Sequence, residues 1–501
     1  MKGIMLQGTA SDVGKSVLCT ALCRIFQRRN LKVAPFKSQN MSNNSYVTRD
    51  GKEIGRAQGV QAEAAKIEAS VFMNPILLKP RSDCDSEVIR FGTSFETLSG
   101  KNYREQFYQK GIEIIVESLQ ELESDYDYLV IEGAGSPVEV NLNDREIVNM
   151  KVAELADVPV VLVADIDRGG VFASIVGTLA LLSEEEKSRV VGIIVNKFRG
   201  DLSLFESGID WIEEYTGKKV IGVVPHLQDM TIEGEDSLSL TTQFQSKKRS
   251  GEIDIAVIEL PYISNYTDLE PFRFEEDVSI RFVRDQTEFG QPDAVIIPGT
   301  KSTFHDLKVI KERQLHRKLK EYAQDSGTIV GLCGGYQMLG DELIDKAGSD
   351  TGIVGNKQQG LGIAPLVTYF HNQKKTIRSK GILVDKENKA STVIEGYEIH
   401  LGETVRKNNE VSPLLLVNDE AEGVNIDQGR IIGTYFHSLF HNDEWRTDWL
   451  NKIREQKGME KQAVNYLHDE KDASFERLAK QTEKVLDIDY LLEMIDNWGS
   501  R

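Results

Sequence analysis

The stretch Gly8-Thr9-Ala10-Ser11-Asp12-Val13-Gly14-Lys15-Ser16 decides how the first half of the chain folds. It follows the short apolar run Gly3 to Gln7 and precedes a helical pattern from Lys15 to Arg28. A glycine-rich loop between a strand and a helix is the setting of a phosphate-binding loop (P-loop). Glycines let backbone N–H groups close around phosphate oxygens, and the helix N-terminus adds its partial positive charge. In that reading Gly8, Thr9 and Gly14 shape the cradle and Lys15 reaches the β- and γ-phosphates of a nucleotide. The Ser16 hydroxyl ligates Mg²⁺. Five residues rather than four separate Gly8 from Gly14. The bland alternative is a glycine turn before an ordinary helix.

Outward from this loop, short apolar runs recur at Leu31 to Phe36, Tyr128 to Ile131, Pro159 to Ala164, Val190 to Val195 and Val220 to Val224. Helical patterns such as Val171 to Leu182 lie between several of them. The alternation predicts a parallel sheet covered on both faces. A polar stretch near 233–252 reads as a linker. Strand signals restart at Ile253 to Leu260, Ile280 to Val283, Ala294 to Ile297 and Thr328 to Leu332, with a β-rich part near Thr376 to Glu403. The expected fold class is α/β: two doubly wound, mostly parallel-sheet domains and a C-terminal helical extension. The expected domains are 1–232, 253–445 and the extension 446–501. In that extension Leu478, Val485, Ile488, Leu491, Leu492 and Ile495 sit at helical spacing.

Composition bounds the partners. Lys and Arg number 60 against 79 Asp and Glu, a net charge of −19. So acidic a chain is a poor match for nucleic acid, which is bound through phosphate neutralisation. No apolar run is long enough to span a bilayer, and no signal peptide is evident, so a cytoplasmic location is expected. The four cysteines, Cys19, Cys23, Cys84 and Cys333, show no paired metal spacing; Cys19 and Cys23 read as helix core. The oligomeric state is not legible.

Further polar groups sit where strands of the first half end, the edge at which open α/β sheets bind ligands. Glu132 closes the run Tyr128 to Ile131 and suits Mg²⁺, directly or through water; otherwise it is a solvated acid before a glycine turn. Asn196 ends another strand, where its amide would read a purine edge, though the Asn-Lys dipeptide alone says little. Lys37, Gln39 and Asn40 open a run of amides and hydroxyls that suits a polar substrate or a loop of Asx turns. Asp165, Asp167 and Arg168 suit substrate or metal, or form a surface acid–arginine pair.

In the second half, Gly331-Leu332-Cys333-Gly334-Gly335 follows a strand and opens a helix. The G-x-C-x-G spacing is that of a nucleophile elbow, where small neighbours allow a sharp turn that presents the thiol. The helix N-terminus favours thiolate, and the Gly334 N–H is placed to stabilise an oxyanion. His437, 104 residues later at another strand end, is the candidate base. Pro298-Gly299-Thr300-Lys301-Ser302 follows a strand as well, and Gly299 supplies a second backbone donor.

Four segments, FKSQNMSNNS from Phe36, LPYISNYTDLEPF from Leu260, IIPGTKST from Ile296 and EGYEIHLGET from Glu395, occur in this order with the two motifs above. Together they resemble the cobyric acid synthase family, glutamine-hydrolysing amidotransferases of the vitamin B12 pathway. The first half resembles the dethiobiotin-synthetase type of P-loop domain, whose loop carries the same extra residue. The second half resembles a class I, triad-type glutaminase. The resemblance implies glutamine hydrolysis at Cys333, ATP-dependent phosphorylation of corrinoid carboxylates, and displacement of phosphate by ammonia. The substrate it implies is adenosylcobyrinic acid a,c-diamide, amidated at b, d, e and g. It implies Mg²⁺ with ATP as co-substrate and no permanently bound cofactor. Many class I glutaminases carry Glu two residues after the histidine, but Leu439 stands there, an absence that the resemblance extends to the cobyric and cobyrinic acid enzymes. Glu403 and Asp443 are the sequence's candidates for orienting His437. Two other readings stay open at this point. One is a cobyrinic acid a,c-diamide synthase. The other is a regulatory P-loop ATPase fused to an inactive amidotransferase-like domain.

Overall fold

The computed structural model describes residues 1–80, 85–227, 252–384, 392–407 and 411–500. Cys84 and all of the expected linker except Glu252 lie outside them. The chain divides into two compact units. One comprises Met1–Ser42, Lys52–Glu235 and Lys471–Arg501; the other comprises Asn43–Gly51 and Asp236–Glu470.

The first unit is built on six parallel strands: β1 (Lys2–Gly8), β2 (Val33–Phe36), β3 (Tyr128–Glu132), β4 (Val160–Asp165), β5 (Val190–Phe198) and β6 (Lys219–Pro225). Their order is β6-β5-β4-β1-β3-β2. Successive residues of a strand point to opposite faces. Met5, Ile131 and Leu162 accordingly join one buried cluster, while Ile4, Leu6, Val130, Val161 and Val163 join another. Both faces being apolar is why these strands read as unbroken hydrophobic runs. The helix α1 (Lys15–Arg28) packs Leu18, Cys19, Leu22 and Cys23 into the second cluster.

The expected C-terminal extension is not a single body. From Lys471 onward the chain counts with the first unit. The helices α2 (Leu467–Glu483) and α3 (Ile488–Asp496) deliver Phe475, Ala479, Leu491 and Ile495 to the sheet face that α1 covers. Burying a Leu or Ile side chain contributes about 1.5–3 kcal/mol. That burial gives the helical spacing seen in the sequence its physical reason.

A further sheet in this unit was not foreseen. It aligns Gln39–Met41, Ile76–Pro80, Asp85–Arg90 and Thr93–Ser99, the last three antiparallel. Its strands are short or carry charged residues, so their apolar signal is weak. Gln39 and Asn40, read as loop, belong to its first strand.

The second unit repeats the doubly wound plan. Its main sheet contains β7 (Ile253–Ile258), β8 (Val278–Val283), β9 (Ala294–Ile297), β10 (Thr328–Leu332), β11 (Val424–Ile426) and β12 (Ile431–Thr434). The order is β8-β7-β9-β10-β12-β11, parallel except for β11 against β12. The β-rich part is a second sheet dominated by Leu366–Leu383 paired antiparallel with Val393–Arg406. Among the described residues no helix is long and apolar enough to cross a membrane.

Candidate functional site

Each unit gathers polar side chains at the C-terminal ends of its parallel strands. In the first, Gly14 adopts φ 95°, and a Cβ there would overlap the Asn196 Nδ2. Only glycine fits such a turn without strain. Lys15 Nζ lies 3.3 Å from the Gly135 carbonyl oxygen, and the Thr9 N–H donates to the Val163 carbonyl.

Glu132 is the hub of this site and is fully buried. Its Oε1 accepts from the Ser16 hydroxyl at 2.8 Å and from Lys37 Nζ at 2.9 Å; its Oε2 accepts from Gln61 Nε2 at 2.6 Å. Burial pushes the carboxyl up, but Lys37 and the hydrogen bonds from Lys37, Ser16 and Gln61 outweigh it and hold the group below the usual range. An ionised carboxylate beside a serine hydroxyl is a hard oxygen donor pair that fits Mg²⁺. Among the described residues no group of three or more His, Cys, Asp or Glu is gathered as a metal cluster.

The other first-half candidates fall into place unevenly. Asn196 Nδ2 donates to the Val13 carbonyl at 2.7 Å, so its amide braces the loop instead of facing a base edge. Gln39 Oε1 accepts from the Tyr103 hydroxyl at 2.6 Å, and buried Asn40 donates to Gln58 Oε1 at 3.3 Å. Asp165 pairs with Lys197 at 2.9 Å, Asp167 with Arg199 at 2.7 Å. Arg168 is exposed and lies 3.8 Å from Asp12.

Gln58 and Gln61 went unnoticed in the sequence. They stand three apart on the helix Arg56–Ala64, hence on one face. Gln58 Nε2, Gln61 Oε1, Gln7 Oε1 and Asn149 Oδ1 are buried atoms without a hydrogen-bond partner among the described residues. A buried polar atom left unsatisfied costs about 1–3 kcal/mol. Such a set of amides around a phosphate loop suits a polar ligand that would complete them.

In the second unit, Cys333 sits at φ 49°, ψ −107° between β10 and the short helix Gly334–Leu339. Strain of this kind in a non-glycine residue persists where the surroundings enforce it, and clusters at reactive positions. A Cβ on Gly335 would overlap the Ile297 carbonyl, which explains the second glycine of the motif. Gly334 lies against the Gly299–Thr300 turn: a Cβ on it would stand 3.1 Å from the Thr300 nitrogen. A Cβ on Gly299 would stand 3.2 Å from His437 Cε1. Gly334, Gly299, Cys333 and His437 therefore share one locality.

His437 is fully buried. Its Nδ1 faces Asp268 Oδ2 at 2.7 Å, and the other oxygen of Asp268 accepts from the Ser438 N–H at 2.7 Å. Tyr397 stacks on the ring at a centroid distance of 5.2 Å. Burial lowers the ring's proton affinity, but Asp268 and then Cys333 raise it, to about 10. Glu403 instead faces His371 at 3.5 Å and Asp443 pairs with Arg446 at 2.8 Å, so neither orients His437. Asp268 was missed although it lies within the quoted segment from Leu260. Its signal was an acid in a polar run just beyond a strand. Leu439 is wholly buried in the core.

Comparison with known proteins agrees with both halves. Residues 4–240 match the CobQ/CobB/MinD/ParA nucleotide binding domain, and residues 254–445 match the CobB/CobQ-like glutamine amidotransferase domain. A cobyric acid synthase of Geobacillus thermodenitrificans is 48% identical over 499 residues, covering 99% of either chain. One of Anoxybacillus flavithermus is 49% identical over 488 residues, covering 97% of this chain and 95% of its own. Among solved structures, a glutamine amidotransferase aligns with 40% of this chain and 97% of its own, at 17% identity and TM-score 0.32. With both domains matched and near-complete alignment at this identity, the chain belongs to the cobyric acid synthase family.

Proposed function

We propose that this amidotransferase releases ammonia from glutamine at Cys333 and, with ATP, uses it to amidate the b, d, e and g carboxylates of adenosylcobyrinic acid a,c-diamide. The observation that carries the reading is the Cys333–His437–Asp268 locality on a chain that also bears the Lys15–Ser16–Glu132 phosphate site.

In the glutaminase half-reaction the Cys333 thiol passes its proton to His437, and the sulfur attacks the glutamine amide carbon. The oxyanion meets the backbone N–H groups of Gly334 and the Gly299–Thr300 turn. His437, held by Asp268, gives a proton to the departing ammonia, and water then cleaves the thioester to glutamate. A carboxylate is a poor electrophile, so in the second half-reaction its oxygen attacks the γ-phosphorus of ATP, ADP leaves, and ammonia displaces phosphate from the acyl phosphate. Lys15 offsets charge on the transferring group. Ser16 and Glu132 are the residues that would hold Mg²⁺, which neutralises phosphate oxygens when bound. The unsatisfied amides of Gln7, Gln58, Gln61 and Asn149 support a polar ligand beside the phosphates.

The test is to incubate the protein with ATP, Mg²⁺, glutamine and the a,c-diamide and to follow product mass. Successive amidations of that substrate are expected. An unchanged mass with the a,c-diamide, together with two amidations of cobyrinic acid supplied in its place, would overturn the reading in favour of the diamide synthase.

A further inference from the structure

Gln7 and Asn149 carry an inference that rests on the ATP-dependent amidation proposed above. Gln7 precedes Gly8 at the end of β1 and is fully buried; Asn149 is 1% exposed. Both side chains reach Gly133, the residue after β3. A Cβ placed there would overlap Asn149 Oδ1 and stand 3.3 Å from Gln7 Cγ. The Lys15 ammonium lies close by. A Cβ on Gly8 would stand 2.9 Å from Lys15 Nζ, which is also 3.3 Å from the Gly135 carbonyl oxygen. The two amides therefore sit beside the cation of the phosphate loop.

Hydrogen bonds fix which end of each amide is left over. Asn149 Nδ2 donates to the Ala134 carbonyl at 2.7 Å and to the Ser136 carbonyl at 3.2 Å, on either side of Gly135. Carbonyls only accept, so the nitrogen faces them and Oδ1 turns toward Gly133. Gln7 Nε2 lies 3.4 Å from the Met5 thioether sulfur, which also only accepts, so Gln7 Oε1 points away from it. Neither oxygen has a hydrogen-bond partner among the described residues. Gln61 Oε1 is a third such oxygen, left over because its Nε2 donates to Glu132 at 2.6 Å. Of the amides around this site only Gln58 has its nitrogen unpaired. A buried acceptor is destabilising until a donor reaches it.

Chemistry narrows the donor. The phosphates of ATP and the carboxylates of the corrinoid present acceptor oxygens, which amide oxygens repel. The enclosure of Gln7 and Asn149 leaves no room for a macrocycle. Ammonia is small, and each of its N–H bonds is a donor. We propose that Gln7 Oε1 and Asn149 Oδ1 form the site that receives ammonia for its attack on the acyl phosphate. Neutral oxygens suit this role: they hold the N–H groups and leave the nitrogen lone pair free, whereas a carboxylate would favour ammonium, which has none. In the step, that lone pair forms the C–N bond. The C–O bond to phosphate breaks with its electron pair on the phosphate, and the surplus proton leaves with the phosphate.

The experiment uses the full-length protein with ATP, Mg²⁺, the a,c-diamide and ammonium chloride as nitrogen donor, at fixed pH, for wild type and Gln7→Met. Methionine keeps the length of the side chain and removes the amide oxygen. Gln7→Leu serves if Gln7→Met fails to fold. The expected result is an ammonia KM raised about three- to tenfold, the scale of one lost hydrogen bond, with the KM values for ATP and corrinoid nearly kept. With glutamine as donor, more glutamate should be released per amide formed, because ammonia held less well escapes to solvent. An unchanged ammonia KM in a folded variant overturns the proposal and leaves the oxygens to water. Equal rises in all three KM values mark a structural role and overturn it as well. So does a rate that follows potassium concentration at constant ammonia KM, which assigns the oxygens to an alkali cation. If the wild type amidates cobyrinic acid and not the diamide, the substrate reading alone falls, and the same ammonia comparison is made on cobyrinic acid. Amidation of neither sinks both.

Discussion

Asp268 Oδ2 stands 2.7 Å from His437 Nδ1, although the two residues are 169 positions apart in the chain. The aspartate comes from the 3₁₀-helical segment Tyr266–Phe274 beyond β7 and the histidine from the edge of the second sheet. The pairing supplies the acid that Leu439 does not. It also sets the ring's tautomer, since a carboxylate on Nδ1 demands the proton there.

Asp268→Asn is therefore expected to lower glutamine-dependent amidation by about 10²–10⁴-fold, the usual contribution of a positioned acid–base group. Removing the charge lets the His437 pKa fall from about 10. Its stabilising share, present below the unfolded value of about 6.5 and lost only as pH rises through 10, shrinks with it. Synthesis from added ammonia should continue. Equal loss with both nitrogen donors in a folded variant would sink this role.

Cys333→Ser should abolish glutamine-dependent synthesis and leave ammonia-dependent synthesis in place. The strained elbow is built by backbone and glycines, and serine fits it without added volume. Disappearance of the ammonia-dependent reaction, with melting behaviour unchanged, would show that the two chemistries are not divided as proposed.

The doubly wound sheets were legible because buried parallel strands are apolar throughout and end where glycine or polar residues begin. The two motifs were legible because Gly14 and Gly335 answer local steric demands, set by Asn196 and the Ile297 carbonyl. What escaped was long-range or weakly patterned. Asp268, Gln58 and Gln61 are single polar residues whose importance depends on what folding brings against them. The sheet containing Gln39–Met41 has too little apolar alternation to be seen. The return of α3 to the first unit follows from Leu491 and Ile495 covering a sheet face, which spacing alone does not assign to any partner.

Lys15→Ala should reduce amidation with either nitrogen donor by at least about 10²-fold, the scale for losing one preorganised charge-stabilising donor. Its ammonium sits at the Gly135 carbonyl, beside the Ser16–Glu132 pair. Glutamine hydrolysis measured alone should survive. Near-normal synthesis with ammonia would refute the phosphate-site assignment.

Glu422 gives a pH-dependent test of stability. Burial pushes its carboxyl up to about 7, against hydrogen bonds from the Tyr435 N–H and the Thr434 hydroxyl. A raised carboxyl binds its proton more tightly folded than unfolded. Native stability thus falls as pH rises from about 4.3 through 7, then levels. Glu422→Gln imitates the protonated form. It should raise the melting temperature at pH 8 by a few degrees and change it little at pH 5; a gain of equal size at both would discredit the titration.

Arg168 and Lys37 separate substrate capture from phosphate chemistry. The protein carries a net charge of −19, which opposes a polycarboxylate corrinoid at long range, so binding must draw on local cations and backbone donors. Arg168 is 70% exposed and its pairing with Asp12 is loose at 3.8 Å, which leaves the guanidinium able to turn toward a carboxylate. Lys37 is a different case. It is buried, and its Nζ is bonded to Glu132 at 2.9 Å, so it compensates the carboxylate beside Ser16 and has no open side toward a bulky ligand. Arg168→Ala should accordingly raise the corrinoid KM several-fold with kcat nearly kept. Lys37→Met should lower kcat with little change in KM, because an uncompensated Glu132 takes up a proton and no longer suits Mg²⁺. Both variants should hydrolyse glutamine normally when it is assayed alone. If Arg168→Ala lowers kcat and leaves KM unchanged, the arginine acts on phosphoryl transfer, and the corrinoid must be held by other residues around the strand ends.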